Sequence, residues 1–468
     1  MNARRLAVAT LVLAAMAGGA RAQEQQRKYQ MIRSDEDWAW LDELPPEKPD
    51  AFDAVKHAEI GESEQWYASL GGFFRTRFED DDNRFLGGSP IEDDFNIKSK
   101  ASLAFEIGHE QDFRFFTEVR AAEMFDNERP EPVFFHDDPD FLSFFLEGTI
   151  ASKSTHPVTI RAGRQEMRFG VGRLVAPLDW WSTRRTFEGI RVIADTPRTS
   201  TSVFVVNTVD NEPHDTNTRI QDQRFYGVHS TLKPTNEHLI ELAAFLLHDS
   251  RDIYGSESGL KSDLERQTYD VRYAYKGDEG WRAEFEGAYQ QGNVGEDDLA
   301  AWFATGSVGY AWTDAAWKPR VALGLDHASG DDDPTDGDRG TFDPMFPDGH
   351  LFLGSMDLVG RSNIDAARIE FEAFPLPKLR WLIGAHRFWL AEDSDALYDS
   401  NSKPIRRDAT GLSGDDVGLE LDMHVAYTFA THHWLGFEIC KWWSGDFIAN
   451  TGNPDDAWFA WMAYEFTF

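Results

Sequence analysis

The sequence predicts an all-β protein: a transmembrane antiparallel up-and-down β-barrel of 18 strands with a short periplasmic N-terminal extension. Three observations carry that expectation. Apolar and polar side chains alternate with a period of two along many runs of ten or more residues, the connections between runs sort by parity into short and long, and the chain end alternates up to a final aromatic.

Residues 1–22 read as a signal peptide. Arg4 and Arg5 supply a positive start, Leu6 to Met16 an apolar run, and Ala20-Arg21-Ala22 small residues around a cleavage site after Ala22. The apolar run is too short for a spanning helix, which needs about 20 residues, and no later stretch approaches that length. Residues 23–65 form the expected periplasmic extension. This segment is acidic, carries Pro45, Pro46 and Pro49, and offers Trp38, Trp40 and Leu41 as anchors, too little apolar surface for a core of its own.

Residues 66–468 form the expected outer-membrane barrel. In Gln267–Lys276, Tyr269, Val271, Tyr273 and Tyr275 oppose Thr268, Asp270, Arg272 and Ala274. The next run sets Trp281, Ala283, Phe285 and Tyr289 against Arg282, Glu284, Glu286 and Gln290. A helix would place its apolar residues three and four apart instead. Soluble strands average about five or six residues, whereas a tilted crossing of a bilayer takes roughly 9–11. The runs begin near Trp66, Asn96, Asp112, Asp140, His156, Arg185, Thr199, Asp222, Glu237, Glu265, Gly280, Leu299, Trp317, Asn363, Lys378, Asp415, His432 and Asp456.

After even-numbered runs the connections are tight, as at Pro197-Arg198, Pro234-Thr235-Asn236 and Pro375-Leu376-Pro377. After odd-numbered runs most are long and polar: Asp80–Phe95, Phe125–Pro139, Arg168–Arg184, Ser250–Leu264, Gly330–Ser362 and Glu392–Gly414. Short periplasmic turns and long outer loops give that pattern, and a soluble sandwich has no reason for it. The last run places Trp458, Ala460, Met462, Tyr464, Phe466 and Phe468 on one side, the kind of terminal signal a barrel-insertion machinery reads.

Composition narrows the function. Loss of residues 1–22 removes three arginines and no acid, taking the formal charge from −35 to −38, which disfavours nucleic acid as a partner. The single cysteine, Cys440, excludes an intrachain disulfide. A mean hydropathy of −0.49 excludes a helical membrane bundle, and 35 Phe, 16 Trp and 12 Tyr suit a barrel with a greasy outside and a wet lumen. No Gly-x-Ser-x-Gly pattern, zinc-spaced Cys/His cluster or phosphate-cradling loop is present, and His424 is a lone inward histidine, so no enzyme is expected.

Between Arg161 and Arg191 the chain reads Arg-Ala-Gly-Arg-Gln-Glu, Phe-Gly-Val-Gly-Arg-Leu, Asp-Trp-Trp and Arg-Arg-Thr-Phe-Glu-Gly-Ile-Arg. Between His327 and Asn363 it carries Ser329-Gly330-Asp331, Gly340-Thr341-Phe342-Asp343-Pro344, Gly349-His350 and Asp357-Leu358-Val359-Gly360. Together with Asp53-Ala54-Val55-Lys56 and Trp66–Phe78, these motifs resemble the alginate export family of outer-membrane barrels across nearly the whole mature chain. The resemblance implies an 18-stranded barrel with an Arg-rich constriction that passes an anionic polysaccharide.

Alternation points Arg75, Arg77, Arg114, Arg120, Arg161, Arg185, Arg191, Arg272, Arg282, Arg320, Arg368 and Arg380 into the lumen, beside the acids Asp270, Glu284, Glu286, Asp326, Glu370 and Glu372. Arg164 has the opposite parity, which needs a bulge or a place above the membrane. Guanidinium groups stay charged and grip carboxylates bidentately, so such a ladder can select anions; their ordinary use is to pair with acids on neighbouring strands. Trp180, Trp181, Trp389, Trp442 and Trp443 could stack on sugars or form an interfacial girdle; the girdle is expected, with Trp180 and Trp181, which lie in a loop, as the sugar-stacking exceptions.

No cofactor is expected beyond a structural calcium ion in an outer loop, at Asp331, Asp333, Asp336 and Asp338, where hard-cation oxygen ligands cluster. The expected partners are an anionic polysaccharide or oligosaccharide, outer-membrane lipid and lipopolysaccharide, and the insertion machinery, with the barrel a monomer in the bacterial outer membrane. Three functions stand: an anion-selective channel for acidic saccharide, a less selective diffusion porin, and a plugged barrel with a binding role.

Overall fold

The computed structural model describes residues 29–43, 50–61, 65–86, 88–89, 91–110, 112–130, 132–277 and 280–468. The expected signal peptide and its cleavage site lie outside them. None of the described helices is long and apolar enough to cross a membrane.

Eighteen strands form the wall: β1 Trp66–Asp82, β2 Asp93–His109, β3 Phe113–Phe125, β4 Asp137–Ile150, β5 Val158–Gln165, β6 Phe187–Asp195, β7 Thr199–Asp210, β8 Gln223–Leu232, β9 His238–Gly255, β10 Lys261–Lys276, β11 Trp281–Val294, β12 Asp297–Ala311, β13 Arg320–Ala328, β14 Ile364–Leu376, β15 Leu379–Trp389, β16 Asp416–Ala430, β17 His433–Ser444 and β18 Ala457–Thr467. Each pairs antiparallel with the next. The sheet then closes on itself, β1 pairing with β18 from Phe73 opposite Thr467 to Asp82 opposite Trp458. Gly72 and Phe468 extend that seam by exchanging both backbone hydrogen bonds at 2.9 Å. In lipid an unpaired N–H or C=O costs several kcal/mol, so closure removes the sheet edges that no other arrangement could satisfy.

The period of two separates two environments. Leu103, Val203, Leu242, Val271, Phe285, Leu323, Leu325 and Ile369 point outward, each about half or more exposed. Trp281, Trp312, Trp317 and Trp381 are exposed near the short-turn end, the position of an interfacial girdle. Their inward neighbours along the same strands are buried polar groups, among them Arg272, Glu286 and Asp326.

One expected loop is instead strand. Ser250–Leu264 is a raised hairpin in which β9 runs to Gly255 and β10 starts at Lys261. Its register shifts between Asp249 and Tyr254, because the buried Asp249 carboxylate gathers Arg251, Tyr254 and Gln223 before the ladder resumes at Tyr254 opposite Ser262.

The N-terminal segment closes against the periplasmic end. Ala58–Glu59 adds a short antiparallel pairing to Tyr67 and Ala68. Phe52 stacks on Phe468 at 4.6 Å, and Arg33 donates to the Phe468 carbonyl at 2.6 Å. Of the anchors expected from sequence, Trp38 is buried beneath the Lys56 ammonium at 4.7 Å, while Trp40 and Leu41 are half-buried.

Gly163 lies in β5 below the outer rim. Its φ of +135° is one that side chains rarely adopt, and a Cβ there would meet the Phe144 carbonyl oxygen. Gly163→Val is expected to destabilise the barrel by about 2 kcal/mol, read as a lower temperature at which the detergent-folded protein loses its compact electrophoretic form.

Candidate functional site: the loop-filled lumen

Two of the long odd connections turn inward. Residues 166–186, between β5 and β6, and residues 329–363, between β13 and β14, meet inside the barrel. Val175 pairs with Phe346 as a parallel bridge, the Ala176 amide donates to Phe346 at 2.8 Å, and the Asp348 amide donates to Gly172 at 2.9 Å. Their apolar side chains explain the placement. Met167, Phe169, Leu174, Val175, Phe342, Phe346, Met356 and Val359 are buried, packed with inward residues of the wall such as Phe204, Phe225, Phe245 and Phe303. Water would not tolerate that surface on an exposed loop, so the hydrophobic effect draws both loops inside. The outer half of the lumen is therefore an apolar core rather than a wet channel, which corrects the wet-lumen expectation for that half.

Ionic contacts fasten the loops to the wall. Arg173 reaches across to Glu284 at 2.6 Å and to Glu286. Arg361 pairs with Asp326 at 2.8 Å. Glu420 on β16 accepts the amides of Ser355 and Met356 at 2.6 and 2.8 Å. On β1, Arg75 donates to the Asp179 carbonyl at 2.6 Å and to its carboxylate at 3.2 Å. Arg77 donates to the Trp180 carbonyl at 2.9 Å and lies 3.6 Å from the centre of its ring. Trp180 in turn stacks on His350 of the second loop at 3.6 Å, nearly parallel. The expected sugar platform is thus a clasp between loop, wall and loop. Trp181 stacks on Phe134 at 3.9 Å.

Beneath this clasp, toward the short-turn end, lies a cavity of about 370 Å3. Arg75, Arg77, Arg320 and Arg380 line it together with Trp180, Trp434, Trp461 and His424, and with the acids Glu370, Glu372, Glu438 and Glu465. Arg320 and Arg380 share one carboxylate, Glu372, at 3.7 and 2.5 Å.

The other arginines singled out from the sequence fall into four groups. Most are paired: Arg114 with Glu147 and Glu106, Arg161 with Glu147 at 2.7 Å, Arg120 with Asp137, Arg368 with Asp326, and Arg272 with Glu241 and Glu284. Arg164 sits at the outer rim, where it donates to the Asn217 carbonyl at 2.7 Å and faces Glu188 at 3.4 Å. Arg185 lies in the first inward loop and donates to the carbonyls of Ala176 and Pro347. Arg191 and Arg282 differ from all of these. Among the described residues Arg191 has no ion pair: it donates to the Ser202 hydroxyl at 2.9 and 3.1 Å, lies 5.3 Å from the centre of the Phe169 ring and stands directly opposite Arg161 in the ladder. Among the described residues Arg282 has no ion pair, and its Nε is buried without a partner.

Sequence reasoning passed over Lys98 and Lys100. Both are buried on β2, Lys98 bound to Glu79 at 2.6 Å and Lys100 to Asp179 at 2.9 Å. The same alternation that selected Arg75 and Arg77 would have found them. Removing Glu79 would strand Arg77, Arg84 and Lys98 together, a loss of about 3–5 kcal/mol for a buried pair broken from one side.

The loop that carries the four aspartates considered for calcium is held by local contacts. Asp333 accepts from Thr335 at 2.6 Å, Asp336 accepts the Asp338 amide at 2.9 Å, and the Asp331 amide donates to Asp395 at 3.1 Å. The described groups whose ligand atoms lie within 4.8 Å of one another are His136, Asp138 and His214, and Glu420, Asp422 and Cys440.

The sequence model of the family described as alginate export matches residues 66–458, from the first strand into the last. No curated protein matches the chain. Among solved structures, OpdO of Pseudomonas aeruginosa is similar with a TM-score of 0.58 at 10% identity, covering 86% of this chain and 97% of that one. OccK8 (OprE) of the same organism gives 0.58 at 11%, covering 86% and 98%. The outer membrane protein OprD gives 0.55 at 10%, covering 86% and 94%. At that identity the likeness is one of fold.

Two outcomes follow from the geometry. Trp180→Ala removes the stack on His350 and the Arg77 contact, so both inward loops should become open to a protease added from the outer side, with cleavage about tenfold faster. The buried carboxyl of Asp331 is pushed up to about 7, first by burial and then by Glu257 and Asp395. An acid whose pKa is raised on folding stabilises least when ionised, so the outer loop loses stability as pH rises from about 4 through 7. Limited proteolysis at pH 5 and pH 8 should show the loop better protected at the lower pH, and Asp331→Asn should flatten the difference.

Proposed function

Since the chain belongs to the alginate export family of outer-membrane channels, we propose that its solute is anionic, an acidic poly- or oligosaccharide drawn along arginines that the wall leaves without a carboxylate. The family is one of transport channels rather than enzymes. The observation that carries the proposal is Arg191: in a lumen where Arg114, Arg120, Arg161, Arg272 and Arg368 are each matched by an acid, its guanidinium meets only a hydroxyl and the Phe169 ring among the described residues. A uronate carboxylate supplies the bidentate acceptor that this fork lacks. The cavity below the clasp adds the second requirement, with Arg320 and Arg380 sharing one acid beside the indoles of Trp434 and Trp461. Guanidinium for the carboxylate and indole for the apolar face of the ring suit an acidic sugar, and weak repeated contacts let it move on.

The apolar packing of the outer half favours a second reading, a barrel gated or plugged by its own loops with a binding role. Planar-bilayer recording distinguishes the two. The channel reading expects open events, an anion-favouring reversal potential in a salt gradient, and a current reduced by uronate oligomers. Arg191→Gln should lower the anion-to-cation permeability ratio by about threefold, whereas a cation preference in the unmodified protein would overturn the anionic solute. Absence of current at any voltage would favour the plugged barrel.

A further inference from the structure

At the outer rim, away from the lumen, two imidazoles and a carboxylate converge from two different loops. His136 and Asp138 lie where the β3–β4 loop enters β4, and His214 lies in the loop between β7 and β8. The ligand atoms of all three fall within 4.8 Å of one another. His136 Nε2 is 3.5 Å from one Asp138 oxygen and His214 Nδ1 is 3.7 Å from the other. The two rings are 4.5 Å apart.

Geometry and chemistry agree on a cation. Zinc binds nitrogen and oxygen at about 2.0–2.2 Å in a tetrahedron, which sets neighbouring ligand atoms about 3.3 Å apart, and the two imidazole–carboxylate separations already lie within a few tenths of an ångström of that spacing. The far ring nitrogen, His136 Nδ1, is 3.1 Å from Glu123 on β3, the carboxylate contact that orients a metal-binding histidine. One backbone and one side-chain hydrogen bond hold the two loops in register whether or not a metal is present. The Asp138 amide donates to Pro213 at 2.9 Å, and Asn211 donates to the His136 carbonyl at 3.2 Å. The His214 and Asp138 side chains are 79% and 58% exposed, so a cation arriving from the medium meets them directly and a fourth position stays open for water.

We propose that His136, Asp138 and His214 form an outer-surface site for a borderline divalent transition-metal cation of the zinc class, oriented by Glu123 and clamping the β3–β4 loop to the β7–β8 loop. Two imidazoles select zinc, nickel or copper over calcium and magnesium, which prefer all-oxygen ligands.

The test is calorimetric titration of the full-length, detergent-folded protein with zinc chloride. One saturable zinc site per chain is expected, weakened at least tenfold by His214→Ala, an exposed change that leaves the barrel intact, and about tenfold by Glu123→Gln. Calcium chloride should give no heat that His214→Ala alters. Absence of saturable zinc binding, or an affinity unchanged in His214→Ala, would overturn the proposal.

Discussion

Backbone pairing in a medium without water is the constraint on which the rest of this structure depends. Every N–H and C=O at membrane depth must find a partner within the protein, and a sheet can meet that demand only by closing. The seam between β1 and β18 supplies the closure. Once the wall is a cylinder, the pleat sends alternate side chains to lipid and to the interior, and the period of two becomes a division between solvents. Leu103, Leu242 and Leu325 face one, while Arg77, Glu118 and Asp326 face the other.

An interior lined by charge brings its own constraint. Burying a lone ion is costly, so most inward cations are matched by acids on the same or the adjacent strand, as Arg161 is by Glu147 and Lys98 by Glu79. Two inward loops then use the same chemistry to bind themselves to the wall, through Asp179 to Arg75 and Lys100 and through Arg361 to Asp326. The charge left unmatched is small and local. That makes Arg191, Arg282 and the Arg320–Arg380 pair more informative about the solute than the total number of arginines.

Trp180 links these features. Its ring lies between Arg77 of the wall and His350 of the second loop, and its carbonyl accepts from both Arg75 and Arg77. Its contacts thus tie the wall to both inward loops.

Sequence alone determined the wall. The eighteen runs start within four residues of the observed strands, because a strand half in lipid and half in a polar interior must alternate and its turns must break the alternation. Inward parity for Arg75, Arg191 and Arg282 follows from the same rule. What only the tertiary structure decided is which inward arginines are neutralised and where the long loops go. Ion pairs join strands by register, and register depends on bulges such as that between Asp249 and Tyr254, which leave no periodic trace. The inward course of residues 166–186 and 329–363 depends on the space the closed barrel encloses. Their apolar residues signalled burial, but the surface that buries them exists only after the strands have met.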